Sequence, residues 1–184
     1  FQWRRAGSAA SAGPRTTPTF KLYVSPRHES LRDVTRAALP IITRSPASAF
    51  KLGSTEQQLC RPDKIVAYFD SRDALDETAR ALSTTLRGAT AHGVPFTASV
   101  TQDGLLSWGV DPPPAPQVMW RERESWRLWV TNRLAIALLA ARRTPPAGMT
   151  AWEFAIVRLE LDGVDITTWT PNADVWTAGT PAAA

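Results

Sequence analysis

The sequence is poor in several residue types on which common protein functions depend. Its 184 residues include one cysteine, two histidines and three lysines. The single Cys60 excludes a disulfide framework, and two histidines are too few for a structural zinc site. No apolar run approaches the roughly 18 residues of a membrane span, the best being 134–141. We therefore expect a chain that uses no metal or cofactor and does not enter a membrane.

The motifs of several large enzyme classes are also missing. The sequence has no Gly-rich phosphate loop, no Gly-x-Ser-x-Gly elbow and no kinase catalytic loop. A Ser-His-Asp triad would have to use His28 or His92, and nothing around either residue supports it. No signal peptide is visible, so we expect a cytoplasmic protein. The missing initial Met is consistent with a processed N-terminus or a piece of a longer chain.

The charged residues that are present are unevenly distributed. Residues 1–51 hold nine Lys or Arg and two acidic residues, whereas the other 133 residues hold twelve basic and fifteen acidic ones. The first part therefore carries +7 and the rest −3, within a total of +4. A basic half favours an anionic partner such as phosphate, nucleic acid or an acidic peptide. Arg133 lies outside this half, on the apolar stripe of a predicted helix, where an arginine needs an anionic partner.

The three lysines, Lys21, Lys51 and Lys64, each lie in or beside a short apolar run that is typical of a β-strand. Arg-biased codon usage explains why lysine is scarce, but it does not explain these positions. Lysine differs from arginine in one relevant respect, because burial and nearby cations can favour a neutral amine that acts as a base. The positions of the lysines are therefore the first indication of chemistry.

Strand and helix patterns follow one another without a steady βαβ repeat. Strands are predicted at about 19–24, 48–53 and 64–69, and an Asp-Gly turn predicts a hairpin that joins 96–101 to 105–108. Helices are predicted at 26–39 (stopped by Pro40), from Ser71 to Gly88, at 124–143 and from the Thr150 capping box to Gly163. We expect one α+β domain at 19–170, with a mixed or antiparallel sheet and helices packed on it, between a flexible segment 1–18 and a tail 171–184.

Helical spacing assigns several tryptophans to the core. Trp126, Trp129 and Trp152 lie on the apolar sides of predicted helices, so we expect all three to be buried. Trp108 and Trp120 flank a Pro-rich loop and are candidates to line a peptide-binding groove.

Polar residues of the predicted strands fall on one surface if the strands are neighbours. Period two places Lys21 and Tyr23 on the same face of the first strand, and Lys51 alternates with the apolar residues of the second. Arg61 and Lys64 come where the third strand begins. The plain alternative is a solvated sheet face that carries long polar side chains.

An ordered set of motifs in these strands resembles the phosphothreonine lyase superfamily, which includes secreted bacterial effector lyases and the lyase domains of class III lanthipeptide synthetases. The motifs are Phe20-Lys-Leu-Tyr-Val-Ser25, Phe50-Lys51 and Arg61-Pro-Asp-Lys-Ile-Val-Ala-Tyr68. Three later segments are similar to the stand-alone lyases of class V lanthipeptide and thioamitide pathways, which are related to a plant-pathogen type III effector family. These segments are Val94-Pro-Phe-Thr97, Leu106-Ser-Trp-Gly109 and Ser125-Trp-Arg127. The resemblance covers about residues 19–140.

The resemblance implies an enzyme that removes phosphate from phosphothreonine or phosphoserine by β-elimination and leaves a dehydro amino acid. At the matching positions, Lys51 is the base that takes the α-proton, and Lys21 is the first cation of a Lys-x-His pair. Tyr23 stands where effector lyases have the histidine that protonates the leaving phosphate. Three alternatives are open: Tyr23 replaces that histidine, His28 reaches the site, or phosphate leaves without full protonation. The residues expected to hold phosphate are Arg61 and Lys64, together with arginines from Arg121, Arg123, Arg127 and Arg133.

The implied partners are a phosphorylated precursor peptide, a kinase and a cyclase. A second hypothesis is a non-catalytic phosphopeptide-binding subunit, which would keep the arginines but would not need Lys51. A nucleic-acid binder would interleave basic residues with exposed aromatic ones. Most aromatic residues here lie at core spacing, so we expect no nucleic-acid partner.

Overall fold

The computed structural model describes residues 1–4, 19–112, 124–144 and 147–172. The expectations for Trp120, Arg121 and Arg123, for 5–18 of the predicted leader and for 173–184 of the predicted tail lie outside the described residues. In the part of the chain that is described, no helix combines the length and the apolar composition that a membrane crossing requires.

Six strands form one antiparallel sheet. They are β1 (Gln2–Arg4), β2 (Phe20–Val24), β3 (Ala49–Leu52), β4 (Ile65–Phe69), β5 (Ala98–Ser99) and β6 (Leu106–Val110). Their spatial order is β1-β3-β4-β2-β6-β5. A separate two-stranded ribbon is made by β7 (Val164–Asp165) and β8 (Thr170–Pro171). The predicted α+β class and the antiparallel sheet are confirmed.

The helices belong to two apolar cores. They are α1 (Leu31–Arg44), α2 (Glu56–Leu59), α3 (Arg72–Thr85), α4 (Trp126–Arg143) and α5 (Ala151–Leu161). In the first core α1 and α3 pack against one face of the sheet and bury residues such as Leu22 and Phe69. In the second core α4 packs against α5, which in turn packs against the ribbon, and the Trp126 ring is stacked 5.6 Å from that of Trp129.

The alternation of side chains along the strands separates the two faces of the sheet. On β2, Leu22 and Val24 belong to the core under α1 and α3, whereas Lys21 and Tyr23 point to the opposite face. We call that opposite face the polar face of the sheet. It is the face on which the sequence predicts the candidate site.

The first helix differs from its prediction at both ends. Residues His28–Ser30 form a 3-10 turn, and α1 begins at Leu31 and continues through Pro40 instead of stopping before it. A proline in a helix interior removes one backbone hydrogen bond and costs roughly 3 kcal/mol. Ile42, two residues further on, is fully buried in the core. Burial of the last turn of α1 offsets much of the cost of the proline.

Three other expectations are corrected. Gln2–Arg4 pairs with β3 as an edge strand, so these residues belong to the sheet and not to a flexible leader. The connection between the strands predicted at 48–53 and 64–69, for which no helix is predicted, contains the short helix α2. Trp152 is 53% exposed although helical spacing places it on the same face as Ala155 and Leu159, the buried residues of α5, because it lies in the first turn, before the buried part of that face begins.

Other local predictions are confirmed. The Ser71 hydroxyl accepts a hydrogen bond from the Ala74 N–H at the start of α3. Thr150 and Glu153 form the predicted capping box at the start of α5. Gly104, with a φ of +76°, lies in the turn of the β5–β6 hairpin, where a left-handed backbone favours glycine.

Candidate functional site

Two rows of side chains cross the polar face of the sheet. Residues that lie directly opposite one another in an antiparallel pair point to the same face. One row is formed, from β3 to β6, by Lys51, Val66, Tyr23 and Ser107. The other is formed by Ala49, Tyr68, Lys21 and Gly109. The three residues predicted to carry the chemistry, Lys21, Tyr23 and Lys51, therefore share one face.

The first turns of α4 lie beside this face and form one wall of a cleft of about 440 Å³. The helix approaches β6 closely at Gly109, where an added Cβ would come within 3.0 Å of Cδ1 of Trp126. A glycine at this point of the strand therefore sets the position of α4 relative to the sheet. The cleft is lined by Lys21, Tyr23, Lys51, Arg61, Asp63, Val66, Tyr68, Ser125, Arg127, Leu128 and Thr131.

The Lys21 ammonium is held by a carboxylate and an aromatic ring. It donates to Oδ1 of Asp111 at 2.5 Å and lies 5.7 Å from the centre of the Tyr68 ring. The same oxygen of Asp111 accepts the backbone N–H of Trp126, the first residue of α4, at 3.2 Å. Asp111 therefore fixes the Lys21 amine and also ties β2 to the start of α4.

A second carboxylate, Asp63, contacts two arginines of the cleft. Arg61 donates from Nε and Nη2 to the two oxygens of Asp63, each at 3.0 Å. Nη1 of Arg127 lies 3.3 Å from Oδ2 of the same carboxylate. Burial raises the pKa of Asp63, but the hydrogen bonds from Arg61 and the positive charges of Arg127 and Arg61 outweigh it and hold the pKa below its ordinary value. Asp63 is therefore ionised at neutral pH.

The two tyrosines of the cleft are held in their neutral form. Burial, and then the negative charge of Asp111, raise the phenol pKa of Tyr23 above its ordinary value, although the positive charge of Arg127 acts in the opposite direction. The same two causes, burial first and Asp111 second, raise the pKa of Tyr68. A neutral phenol donates a proton or a hydrogen bond, so both tyrosines are suited to act as donors.

The Lys51 side chain is exposed at the edge of the cleft. Among the described residues, its amine has no hydrogen bond or ion pair with another side chain. An exposed amine beside the Val66 and Tyr23 side chains is accessible to a ligand that enters the cleft.

The charges of the cleft favour an anionic ligand. Four cations and two carboxylates line it or contact its lining residues directly, which gives a sum of +2. They are Lys21, Lys51, Arg61, Arg127, Asp63 and Asp111. In the described part of the chain, no three His, Cys, Asp or Glu residues are grouped so as to hold a metal ion. A doubly charged anion such as a phosphate monoester would be neutralised here.

Lys64, one of the predicted phosphate ligands, does not line the cleft. It immediately precedes β4 and is 2% exposed. Its ammonium donates to the carbonyl oxygen of Pro26 at 2.6 Å and lies 3.2 Å from Nδ1 of His92. Burial lowers the pKa of Lys64. The structure therefore gives this lysine a role inside the fold, where it joins β4 to two loops.

Arg133, another predicted phosphate ligand, is also outside the cleft lining. Its guanidinium stacks 3.7 Å from the centre of the Trp129 ring and forms ion pairs with Glu124 and Asp162. These carboxylates are the anionic partners that its position on the apolar stripe required. Of the predicted phosphate ligands among the described residues, the structure brings Arg61 and Arg127 together.

Sequence reasoning missed three groups of the cleft. Asp63 lies between Arg61 and Lys64 in a quoted motif, and a search for the counter-ion of these cations would have found it. Tyr68 and Val66 point to the same face of β4, as alternation along the strand predicts. Only the register of the sheet shows that Tyr68 lies opposite Lys21 of β2. Asp111 stands in a Pro-rich segment with no pattern that indicates its contact with Lys21.

No family model and no curated protein sequence matches this chain. Among solved structures, the chain is similar to the effector protein from Pseudomonas syringae pv. tomato strain DC3000, with a TM-score of 0.56 and 14% sequence identity. The similarity covers 86% of this chain and 58% of that one, so the chain spans less than two thirds of the length of the effector structure. At this identity the similarity establishes a common fold, and it is compatible with the relation to an effector family that the sequence motifs imply.

Proposed function

We propose that the chain is a phosphoserine or phosphothreonine lyase that acts on a precursor peptide in the biosynthesis of a lanthipeptide-like or thioamitide-like product. The observation that carries the proposal is the common face of Lys51, Tyr23 and Lys21 beside two arginines in one cleft. β-Elimination needs a base near Cα, cations around the phosphate and a donor near the leaving oxygen. The ordered motifs and the fold shared with an effector protein support the same assignment.

In the proposed reaction, Lys51 first gives its ammonium proton to solvent, and the resulting amine removes the proton from Cα of the phosphorylated residue. The electron pair left on Cα forms the Cα=Cβ bond as the Cβ–O bond breaks, and phosphate leaves with the electrons of that bond. Arg61, Arg127 and Lys21 stabilise the charge that grows on the phosphate oxygens. Tyr23 protonates the leaving oxygen and recovers its proton from solvent. The products are dehydroalanine or dehydrobutyrine and free phosphate.

The chemistry of this reaction defines the proposed partners and setting. A kinase must first phosphorylate the serine or threonine, because a hydroxide is a much poorer leaving group than phosphate. The dehydro amino acid that the reaction forms is an electrophile to which a cysteine thiol can add, so a cyclase is the expected consumer of the product. We propose that these steps take place in the cytoplasm.

One observation favours the second candidate function, a phosphopeptide-binding subunit without catalytic activity. Within the described residues, no side chain orients the Lys51 amine, whereas Lys21, Arg61 and Arg127 are all held by carboxylates. A binding subunit would use the held cations and would not need the exposed amine. Substitution of Lys51 therefore separates the two functions.

The experiment measures the intact mass of a phosphorylated candidate peptide before and after incubation with the chain. Elimination lowers the mass by one phosphoric acid and leaves an alkene that an added thiol traps, whereas hydrolysis leaves the alcohol. We expect Lys51→Ala and Lys51→Arg to lose elimination activity by on the order of 10²–10⁴-fold. Arginine keeps the charge but does not give up its proton at a working pH. Both variants should still bind the phosphopeptide.

Lys21→Arg is the matched control, since an anchoring cation should tolerate this change with a modest loss of rate. Elimination by Lys51→Arg at the wild-type rate would show that Lys51 is not the base. Binding of the phosphopeptide without any elimination by the wild-type chain would instead favour the subunit without catalytic activity.

A further inference from the structure

Two arginines from distant parts of the chain meet at one carboxylate in the cleft. Arg61 follows α2, and Arg127 lies in the first turn of α4. Asp63 lies between them, and its side chain is only 17% exposed. Without this carboxylate, the two guanidinium groups, of Arg61 with its side chain 58% exposed and of Arg127 with its side chain 22% exposed, would face one another and would repel each other. The position of Asp63 therefore decides whether the two arginines can be neighbours.

The contacts of each guanidinium leave donors for a further ligand. Arg61 uses Nε and Nη2 for Asp63. Arg127 uses Nη1 for Asp63, and its Nε donates to the carbonyl oxygen of Pro95 at 3.2 Å. Each arginine has five N–H donors. Within the described residues, Arg61 uses two of them for Asp63, whereas Arg127 uses one for Pro95 and forms an ion pair with Asp63 through Nη1. The remaining donors are held in a fixed direction, because the planar guanidinium cannot turn without breaking its bond to the carboxylate.

We propose that Asp63 is a positioning residue that holds Arg61 and Arg127 together as one phosphate-binding pair. The inference rests on the proposed function, because phosphate is the group that this pair would receive. Asp63 does not touch the phosphate, since a carboxylate and a phosphate repel each other. We call Arg61, Asp63 and Arg127 together the clamp. Because the pKa of Asp63 is held low, its carboxylate is ionised at neutral pH.

The clamp and a simple charge effect predict opposite results when Asp63 is changed. Removal of a negative charge from the cleft would by itself strengthen the attraction for an anion. If Asp63 instead aligns the two arginines, its removal weakens phosphate binding, because even a small displacement of the guanidinium groups lowers their affinity for the anion. The sign of the change in phosphate affinity therefore distinguishes the two effects.

The test uses the full chain, with inorganic phosphate as the probe for binding and a phosphopeptide as the probe for turnover. We expect Asp63→Asn to weaken phosphate binding by about tenfold, because it loses two charge-assisted interactions with arginines. With the phosphopeptide, KM should rise and kcat should fall. The matched control is Asp76→Asn, since Asp76 accepts both of its hydrogen bonds from Nε of Arg72 on α3, outside the cleft lining. This control should retain phosphate binding.

A second variant addresses the case in which Asp63→Asn does not fold. Asp63→Glu keeps the negative charge but moves it by one methylene group, so we expect phosphate binding to weaken by about threefold or more. Unchanged or tighter phosphate binding in either folded variant would overturn the clamp. Phosphate titration of the wild-type chain is independent of elimination. A chain that binds phosphate through the clamp but eliminates nothing would keep the clamp and reject the lyase.

Discussion

The phenol of Tyr23 lies in the cleft with 3% of the residue exposed. Burial and the charge of Asp111 keep it neutral, so it has a proton to give when a leaving group becomes negative. It stands in the same row across the sheet as Lys51, with Val66 between them. A substrate that spans this row would have the base at one end and the proton donor at the other.

Tyr23→Phe removes the hydroxyl and leaves the buried ring in place. We expect kcat for elimination to fall by on the order of 10²-fold, as for loss of a general acid, while KM changes little. Because the pKa of Tyr23 is raised, wild-type activity should not decline through this group as the pH rises to about 9. Steady-state kinetics with a phosphopeptide, followed by mass spectrometry across pH, measures both quantities.

His28 provides the comparison for this prediction. It lies in an exposed 3-10 turn and does not line the cleft, so His28→Ala should leave the rate close to that of the wild type. Loss of activity in His28→Ala with full activity in Tyr23→Phe would transfer the role of general acid to the histidine. Full activity in both variants would mean that phosphate leaves without a proton from either group.

At the scale of elements, the position of α4 depends on its contact with β6. Gly109 allows the Trp126 ring to approach the strand, and Trp126 is fully buried, with its indole N–H donating to the carbonyl oxygen of Phe96 at 2.8 Å. Arg127 follows directly in the same helix. The placement of a cleft cation therefore depends on a glycine in a strand.

Gly109→Ala tests this contact. The added methyl group would meet the Trp126 ring at 3.0 Å, so α4 or the ring must move. We expect the free energy of unfolding to fall by about 1–3 kcal/mol, and phosphate binding to weaken as Arg127 is displaced. Chemical denaturation and phosphate titration are the two measurements.

A double variant separates this contact from a general effect on β6. Trp126→Ala removes the Cδ1 and Cγ atoms that face the new methyl group, although it also removes the hydrogen bond to Phe96. The two substitutions together should therefore cost less than the sum of their separate costs. Strict additivity would mean that the two residues do not press against one another.

Elements with strong local patterns could be predicted from the sequence, and those that depend on tertiary contacts could not. The strands around Lys21 and Lys51 were correctly predicted because apolar residues alternate there with polar ones. The predicted end of α1 was wrong because Pro40 is a local signal for the end of a helix, whereas the burial of Ile42, which continues the helix, depends on the whole fold. The prediction that Trp152 is buried was wrong for the same reason, since helical spacing identifies the apolar face of α5 but not which turns of that face are covered.

The residues of the candidate site divide in the same way, into those that local patterns predict and those that depend on tertiary contacts. The common face of Lys21, Tyr23 and Lys51 follows from strand parity once the strands are neighbours. The carboxylate partners of these cations could not be predicted in this way. Asp111, for example, is 90 residues away from Lys21 in the sequence and contacts it only in the folded chain. Sequence patterns therefore identified the strand residues that face the cleft, and the fold supplied the carboxylates that hold its cations.

At the scale of the whole molecule, the cleft lies between the two apolar cores. The sheet and its strands β2, β3 and β4 belong to the first core, whereas α4 belongs to the second. Arg61 and Arg127 stand on opposite sides of this boundary, with Asp63 between them. An anion that both arginines bind would link the two cores and would stabilise the folded chain by mass action.

The last prediction concerns this stabilisation and its dependence on pH. At about 100 times its Kd, a bound anion adds about 2.7 kcal/mol to the free energy of unfolding, which raises Tm by about 5–10 °C in a chain of this size. We expect methyl phosphate, which cannot undergo elimination, and sulfate to have this effect at neutral pH. Arg127→Gln should reduce the shift, and sodium chloride at the same ionic strength should not reproduce it. Thermal unfolding at each condition is the measurement.

Lowering the pH should separate the two anions. A phosphate monoester takes up a proton near pH 6 and loses half of its charge, whereas sulfate stays doubly charged. The pKa of Asp63 is held below its ordinary value, so the clamp remains ionised at pH 5. The Tm shift caused by methyl phosphate should therefore shrink between about pH 7 and pH 5, and that caused by sulfate should persist. An equal loss for both anions would mean that a group of the protein titrates in this range, which would contradict a site held by arginines and an ionised Asp63.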